Sequence, residues 1–467
     1  MDIKNKKVLV CGLGKTGFGV LPLLLKLGCT VTIQTPSVSQ EYNDALEKYI
    51  DMGVSLFINN TPNDIIKNFD LVVVSPGISS DLPFFKLAKD SDIEIISEVE
   101  LANMFFKGRL IGITGTNGKT TTTTLVGEII KEVFIDTEVV GNIGVPFSEK
   151  VLDSEETSVF AIELSSYQLE KTFTLKPKTA TILNVTPDHL ERHKTMQNYI
   201  SCKERIFENQ DNSDYLILNY DNKESYDMVS KAKSNIVLFS KEPISEDGLK
   251  VYVKDEKIYT NFLKKSTKDN DLVERLQEDK KIINLSDITL LGEHNIENIL
   301  ASIALTLPLG VSVEVLEDVI SHFKGVEHRL EFIKIIHGVT FINDSKATNP
   351  DSSINAIKSI NQPIILIVGG YDKNLPIFEF VKEITKKVKH LIIIGETKDK
   401  FVNSCLKIGY TDFTVCESLE SAALEGFKVA KPGDCVLLSP SCSSYDMFDN
   451  FEHRGKVFKE AIHKLRG

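Results

Sequence analysis

Eleven short apolar runs set the limits on this chain. They read KKVLVCG, CTVTIQT, DLVVVSPG, RLIGITG, SVFAIELS, TATILNV, DYLILN, VTFIND, QPIILIVGG, KHLIIIGE and DCVLLSP. Each is rich in Val, Ile and Leu, and most close on a turn residue. Runs of this kind are strands buried on both faces, and such strands belong to parallel sheets whose connections are crossover helices. The fold class is therefore α/β, with largely parallel sheets flanked by helices. At 467 residues the chain exceeds what one core can organise. Boundaries near 97 and 325 divide it into domains at 1–97, 98–325 and 326–467. A polar segment from about 221 to 285 reads as an insertion of exposed hairpins and loops.

Composition removes several function classes. A net charge of −12 argues against a nucleic-acid surface, so anionic ligands must be held by local devices and metal ions. No apolar run approaches the ~18 residues needed to cross a bilayer. The N-terminus, MDIKNKKVLVCGLG, passes into a strand pattern without an export-type cleavage site. Seven cysteines lie scattered without CxxC spacing, which fits a reducing cytoplasm and gives neither a zinc site nor a disulfide framework.

Two glycine loops follow strands. In CGLGKTGFG, Gly12, Gly14 and Gly17 match G-x-G-x-x-G at the opening of a helix, which cradles a diphosphate. An NAD site would close the next strand with Asp or Glu; Gln34 and Thr35 stand there instead, which favours another nucleotide diphosphate. The SPGI turn, Ser75 to Ile78, opens on the same crevice. The second loop, GITGTNGKTTTTTL, carries Ile113 where a strict triphosphate loop has glycine, and the glycine is displaced to 115. Its chemistry survives. Gly115 and Gly118 free backbone N–H groups for phosphate, Lys119 supplies a point charge, and Thr120 offers a hydroxyl to Mg²⁺.

Beyond that loop, hard oxygen ligands are expected for Mg²⁺. Glu163 ends the apolar strand of SVFAIELSSYQLE, at the sheet edge where α/β sites gather. His189, in TILNVTPDHLERH, follows another strand and reads equally as a turn residue or a ligand. Lys203 shares a helix face with Tyr199, Ile200, Ile206 and Phe207. An inward lysine either snorkels to solvent or gives up its proton on burial, and a neutral amine can form a carbamate with CO₂. Asn295 and Asn298 sit one helical turn apart in GEHNIENILAS, as an adenine-facing pair or as two surface amides.

GITGTNGKTTTT, GNIG (141–144), ELSSYQLE, NVTPDHLERH, CKERIF, GEHNIENILAS, EHRLE, INDSKATNP, GGYDK and SPSCSSYDMFDNFEHRG occur in the order found in bacterial Mur ligases. The chain resembles that family over essentially its whole length, and its last motifs resemble the D-glutamate-adding members. The resemblance implies a Rossmann-like first domain, a central P-loop ATPase domain and a Rossmann-like third domain. It also implies an acid–amino-acid ligase of peptidoglycan precursor synthesis, with ATP, UDP-MurNAc-L-Ala and D-glutamate as substrates, ADP and phosphate as products, and an acyl-phosphate intermediate. Such an enzyme is expected in the cytoplasm, as a monomer with no nucleic-acid or membrane partner.

Site residues follow by resemblance. ATP would meet Gly115, Thr116, Asn117, Gly118, Lys119, Thr120, Thr121, Asn298, Arg329, Asp344 and Lys346. The UDP-sugar would meet Thr16, Thr35, Ser75, Gly77 and Asn142. D-Glutamate would meet Thr348, Lys373, Ser444, Tyr445 and Phe451. Of two Mg²⁺ ions, Thr120 and Glu163 would hold the first, and His189 with a carbamylated Lys203 the second. Lys119, His189 and Lys203 are the residues expected to act in catalysis. The QTPS stretch departs from the family pattern and leaves the uracil contacts at Gln34–Ser37 open.

Overall fold

The computed structural model describes residues 3–38, 42–59, 61–264, 273–290, 292–372 and 377–465. All eleven apolar runs form strands. They are distributed over three sheets, each flanked by helices.

Among the described residues the first sheet has five strands in the spatial order Ser55–Ile58, Thr30–Thr35, Lys7–Cys11, Leu71–Val74 and Glu94–Ser97, all parallel. Chain order reverses between Lys7–Cys11 and Leu71–Val74, so a ligand crevice belongs at their C-terminal ends. The glycine turn and the SPGI turn both start there. The three glycines do separate jobs. Gly12 takes φ 96°, and a Cβ at Gly17 would lie 2.0 Å from the Gly12 carbonyl oxygen, so the helix packs against the turn only without one. At Gly14 a Cβ would meet nothing within 4 Å, which leaves that backbone open to a phosphate.

The second sheet has nine strands among the described residues. Seven run parallel in the order Thr137–Gly141, Val159–Glu163, Arg109–Thr114, Thr179–Ile182, Tyr215–Asn219, Asn235–Ser240 and Leu249–Lys254. Lys257–Lys264 and Val273–Asn284 then add antiparallel at one edge. The polar segment after 221 is therefore a continuation of this sheet rather than an insertion of hairpins and loops alone. Its charged edge strand, VERLQEDKKIIN, blunts further strand addition. The helices Lys119–Lys131 and Glu293–Thr306 pack together on the sheet.

The third sheet runs Glu331–Ile336, Val339–Asn343, Cys435–Leu438, Ile364–Gly369, Val388–Ile394 and Phe413–Val415. Its first two strands form an antiparallel hairpin and the rest are parallel. The chain folds as two compact units. One, running to Phe323, holds the first two sheets, and the other, from Lys324, holds the third. In the first unit the two sheets share apolar packing, where Val99, Leu101 and Ala102 join the buried cluster of Phe147 and Phe160. Among the described residues no helix is long and apolar enough to cross a membrane.

Gly17→Ala should strain the first glycine turn by overpacking, at a cost of about 1–3 kcal/mol. Chemical denaturation followed by a reporter in the first domain checks this, and Gly14→Ala should leave stability nearly unchanged.

Candidate active site

The strand Arg109–Thr114 delivers the second glycine loop to the C-terminal edge of the central sheet. Gly115 has φ 153° and Gly118 φ 84°, and the latter caps the helix Lys119–Lys131. The Lys119 ammonium donates to the carbonyls of Gly115 (3.0 Å) and Thr116 (2.8 Å). Lys203 donates to that same Gly115 carbonyl at 2.8 Å. It is 1% exposed, on the helix Met196–Glu204, so of the two sequence readings burial holds and snorkelling does not. Burial, then the charge of Lys119, pushes its ammonium well below the ordinary lysine range. Its amine also lies 4.6 Å from the Tyr199 ring centroid.

The rest of the loop is tightly held. Asn184 brackets Asn117, accepting from its N–H at 2.8 Å and donating to its carbonyl at 3.2 Å. The Thr116 hydroxyl lies 3.1 Å from the Tyr199 hydroxyl. Thr120 and Thr121 are buried at the helix start. Thr122 donates to Asn298, while Thr123 and Thr124 bond back to the carbonyls of Lys119 and Thr120. Asn298 packs so close to the loop that a Cβ on Gly118 would lie 2.1 Å from its Oδ1, and its Nδ2 donates to Asn295. The two amides are buried partners rather than surface groups.

Glu163 pairs in register with Ile113, two residues before the loop, and is 1% exposed. Asn142 clamps it twice. Its N–H donates to the Glu163 carbonyl at 2.9 Å, and its Nδ2 to Oε1 at 2.7 Å. Gly141 makes room, because a Cβ there would lie 2.5 Å from that carbonyl. The other carboxylate oxygen, Oε2, is buried and has no hydrogen-bond partner among the described residues. An orphaned buried carboxylate oxygen beside a phosphate-type loop fits a hard cation.

His189 caps the short helix Leu190–His193 with φ 53°. Its ring is half exposed, 3.4 Å from an Asp188 carboxylate oxygen and 5.1 Å from the Tyr167 ring.

At the first-domain crevice Thr16 and Ser75 are half-buried, Thr35 is buried and Gly77 is exposed. Ser75 reaches the Gly12 carbonyl at 3.4 Å, so the two turns do meet. Thr35 is spent locally, donating to the Ser37 carbonyl at 2.7 Å, and Gln34 donates to the Asn59 carbonyl. Lys15 of the glycine turn reaches the Gly144 carbonyl, tying this crevice to the GNIG segment.

In the other unit, Asp344 follows the strand Val339–Asn343, almost fully buried. It accepts from the Ser439 hydroxyl (2.7 Å) and the Leu330 N–H (3.2 Å), and burial pushes its carboxyl up to about 7 against the opposing pull of Arg329. Lys346 lies 5.9 Å from the Phe451 ring centroid. Asn349 caps the helix Pro350–Ser359 with proline in its first turn, the local role its sequence suggests. Thr348 is half-buried beside it, Ser444 is buried and Tyr445 is 66% exposed. Lys373 lies outside the described residues.

Comparison with known proteins adds a family to this geometry. Family models described as "Mur ligase MurD-like, N-terminal domain", "Mur ligase middle domain" and "Mur ligase, glutamate ligase domain" match residues 6–97, 113–306 and 328–442. The chain belongs to the Mur ligase family. It is 43% identical over 470 residues to the UDP-N-acetylmuramoylalanine--D-glutamate ligase of Caldicellulosiruptor saccharolyticus, and 41% identical over 468 residues to that of Clostridioides difficile. Both alignments cover 100% of each chain. Among solved structures, the UDP-N-acetylmuramate-alanine ligase MurC of Thermotoga maritima shares the fold at TM-score 0.54 and 18% identity, covering 99% of this chain and 100% of that one. The MurF ligase of Thermotoga maritima, solved with ADP, does so at TM-score 0.53 and 17% identity, over 99% and 96%.

Three residues of this Mur ligase that organise the sites escaped the sequence reading. Asn184 directly follows the strand Thr179–Ile182 and Leu183, a polar residue at the edge where ligand loops gather, and that position was the available signal. His193 sits in a quoted motif but on no readable face. Arg454 is 1% exposed and donates to Ser345 Oγ (3.0 Å) and to the carbonyls of Ser345 (2.8 Å), Cys442 (3.0 Å) and Ser443 (3.2 Å). It thereby joins the loop of Lys346 and Thr348 to the loop of Ser444 and Tyr445.

Asp344 carries a pH signature. Unfolded, its carboxyl loses a proton near the ordinary 3.8; folded, it holds it to about 7. Its contribution to stability therefore falls as pH rises through that window and stays low above it. Asp344→Asn should gain stability relative to the parent as pH rises from about 4 to 7, in thermal melts across pH. A gap independent of pH would contradict the assignment.

Proposed function

We propose that this chain joins D-glutamate to the carboxylate of UDP-N-acetylmuramoyl-L-alanine, with ATP cleaved to ADP and phosphate, as a cytoplasmic monomer. The observation that carries the reading is the meeting of Lys119 and the buried Lys203 on the Gly115 carbonyl, next to a carboxylate with one oxygen unused. Full-length identity to enzymes bearing that ligase name supports the choice of amino acid.

A carboxylate resists attack by an amine. Its oxygen must first take the γ-phosphoryl group of ATP, giving an acyl phosphate whose phosphate then leaves when the amine nitrogen attacks the carbonyl carbon. Phosphoryl transfer depends on positioning and charge neutralisation more than on covalent help from the protein. In this reading the loop and helix start from Gly115 to Thr121 hold the phosphates, and Lys119 turns from the loop carbonyls toward them. Asn298 faces the base, and Arg329, Asp344 and Lys346 serve phosphate and ribose. Thr16, Thr35, Ser75 and Gly77 hold the UDP-sugar, joined by Asn142. Thr348, Lys373, Ser444, Tyr445 and Phe451 receive D-glutamate.

Glu163 Oε2 and the Thr120 hydroxyl would hold one Mg²⁺, and His189 with Lys203 would hold a second. An amine that has given up its proton attacks the carbon of CO₂, loses a further proton to water and becomes a carbamate, which puts an anionic oxygen donor in place of a neutral amine. Bound Mg²⁺ at these positions would neutralise charge on the phosphates during transfer.

Phosphate release with Mg-ATP and UDP-MurNAc-L-Ala should require D-glutamate, with a product one glutamyl residue heavier by mass spectrometry. Turnover with an L-amino acid or a folate instead would move the chain to a sister activity of the same family. Lys119→Ala should lower kcat by at least about a hundredfold, the scale seen when one charge-stabilising donor is removed. Lys203→Ala should be nearly inactive and regain part of its rate with acetate, which supplies the missing carboxylate. Full activity without acetate would contradict the ligand role.

A further inference from the structure

We infer that His193 is a positioning residue that sets the spacing of the three side chains assigned above to metal, Glu163, His189 and Lys203. The inference rests on that assignment. The three lie on separate pieces of chain: the end of the strand Val159–Glu163, the cap of Leu190–His193, and the helix Met196–Glu204. Nothing local fixes the distances among such pieces, and a divalent cation tolerates little error in them.

The His193 side chain bonds to two of the pieces and belongs to the third. Its Nε2 lies 3.0 Å from the hydroxyl of Ser166, three residues beyond Glu163. Its Nδ1 lies 3.7 Å from the sulfur of Cys202, the neighbour of Lys203. Its N–H donates to the His189 carbonyl at 3.0 Å, and its own carbonyl accepts from Asn198 of the lysine helix at 2.9 Å. The ring is stacked against Tyr167 at 5.5 Å and tilted against Tyr199 at 5.2 Å, so aromatic faces from the Glu163 and Lys203 segments restrict its rotation. The Arg192 guanidinium closes the stack over Tyr167 at 5.0 Å. At 6% exposure the ring is enclosed, and an imidazole tautomer offers one donor and one acceptor to these two partners. It touches none of the proposed ligand atoms and acts through the segments that carry them.

Two variants separate the geometry from the packing. His193→Phe keeps the stack and loses both side-chain bonds. Ser166→Ala removes only the bond toward the Glu163 segment. The reading is Mn²⁺ affinity, taken from free Mn²⁺ by electron paramagnetic resonance with a non-hydrolysable ATP analogue saturating, alongside thermal melts. Outer partners of metal ligands typically contribute 10–100-fold in affinity. Each variant should therefore weaken Mn²⁺ binding by about tenfold or more, with unchanged binding of UDP-MurNAc-L-Ala in metal-free buffer. The double variant should be no worse than His193→Phe, because both changes cut the same link. Wild-type Mn²⁺ affinity in Ser166→Ala would overturn the inference, even if His193→Phe failed to fold. Absence of protein-bound Mn²⁺ in the parent protein would overturn the ligand assignment itself, and the inference with it.

Discussion

One backbone oxygen organises the catalytic end of the central sheet. The Gly115 carbonyl accepts from Lys119, which its own loop supplies, and from Lys203, which arrives on a helix eighty-eight residues later. Two amines sharing one acceptor cannot both stay comfortably charged in a buried place, and the more deeply buried one yields. Burial, and then the charge of Lys119, accordingly lowers the pKa of Lys203 well below the ordinary lysine range. The same contact fixes the loop from inside, while Asn184 holds it from the other side through the N–H groups of Thr116 and Asn117. The burial of one lysine and the anchoring of the glycine loop thus meet at a single acceptor.

Much of this was legible in the chain before folding. Buried strands announce themselves by uninterrupted Val, Ile and Leu, and glycine turns by spacing, so the sheets and both loops could be read directly. Edge strands could not. Val273–Asn284 is charged because it lies at the rim of the sheet, and charge on a rim strand looks like a loop in a one-dimensional reading. Lys203 was readable as an inward lysine, but whether it reached solvent depended on what covered it.

Residues that act at a distance were the least legible. Asn142 was assigned to the sugar by resemblance, while its N–H and amide both hold Glu163. His193 and Arg454 earn their positions from partners up to about a hundred residues away, and no period or spacing records such a contact. The sequence names the chemistry of a site more readily than the side chains that hold it in place.

Arg454 also says something about the environment the third domain tolerates. A guanidinium normally meets a carboxylate at the surface, where dissolved ions compete for it. Here it faces neutral carbonyls and a hydroxyl, sealed from water. Mobile ions do not reach a charge–dipole contact of that kind. The pair of loops it joins should keep its geometry in brine as well as in dilute buffer.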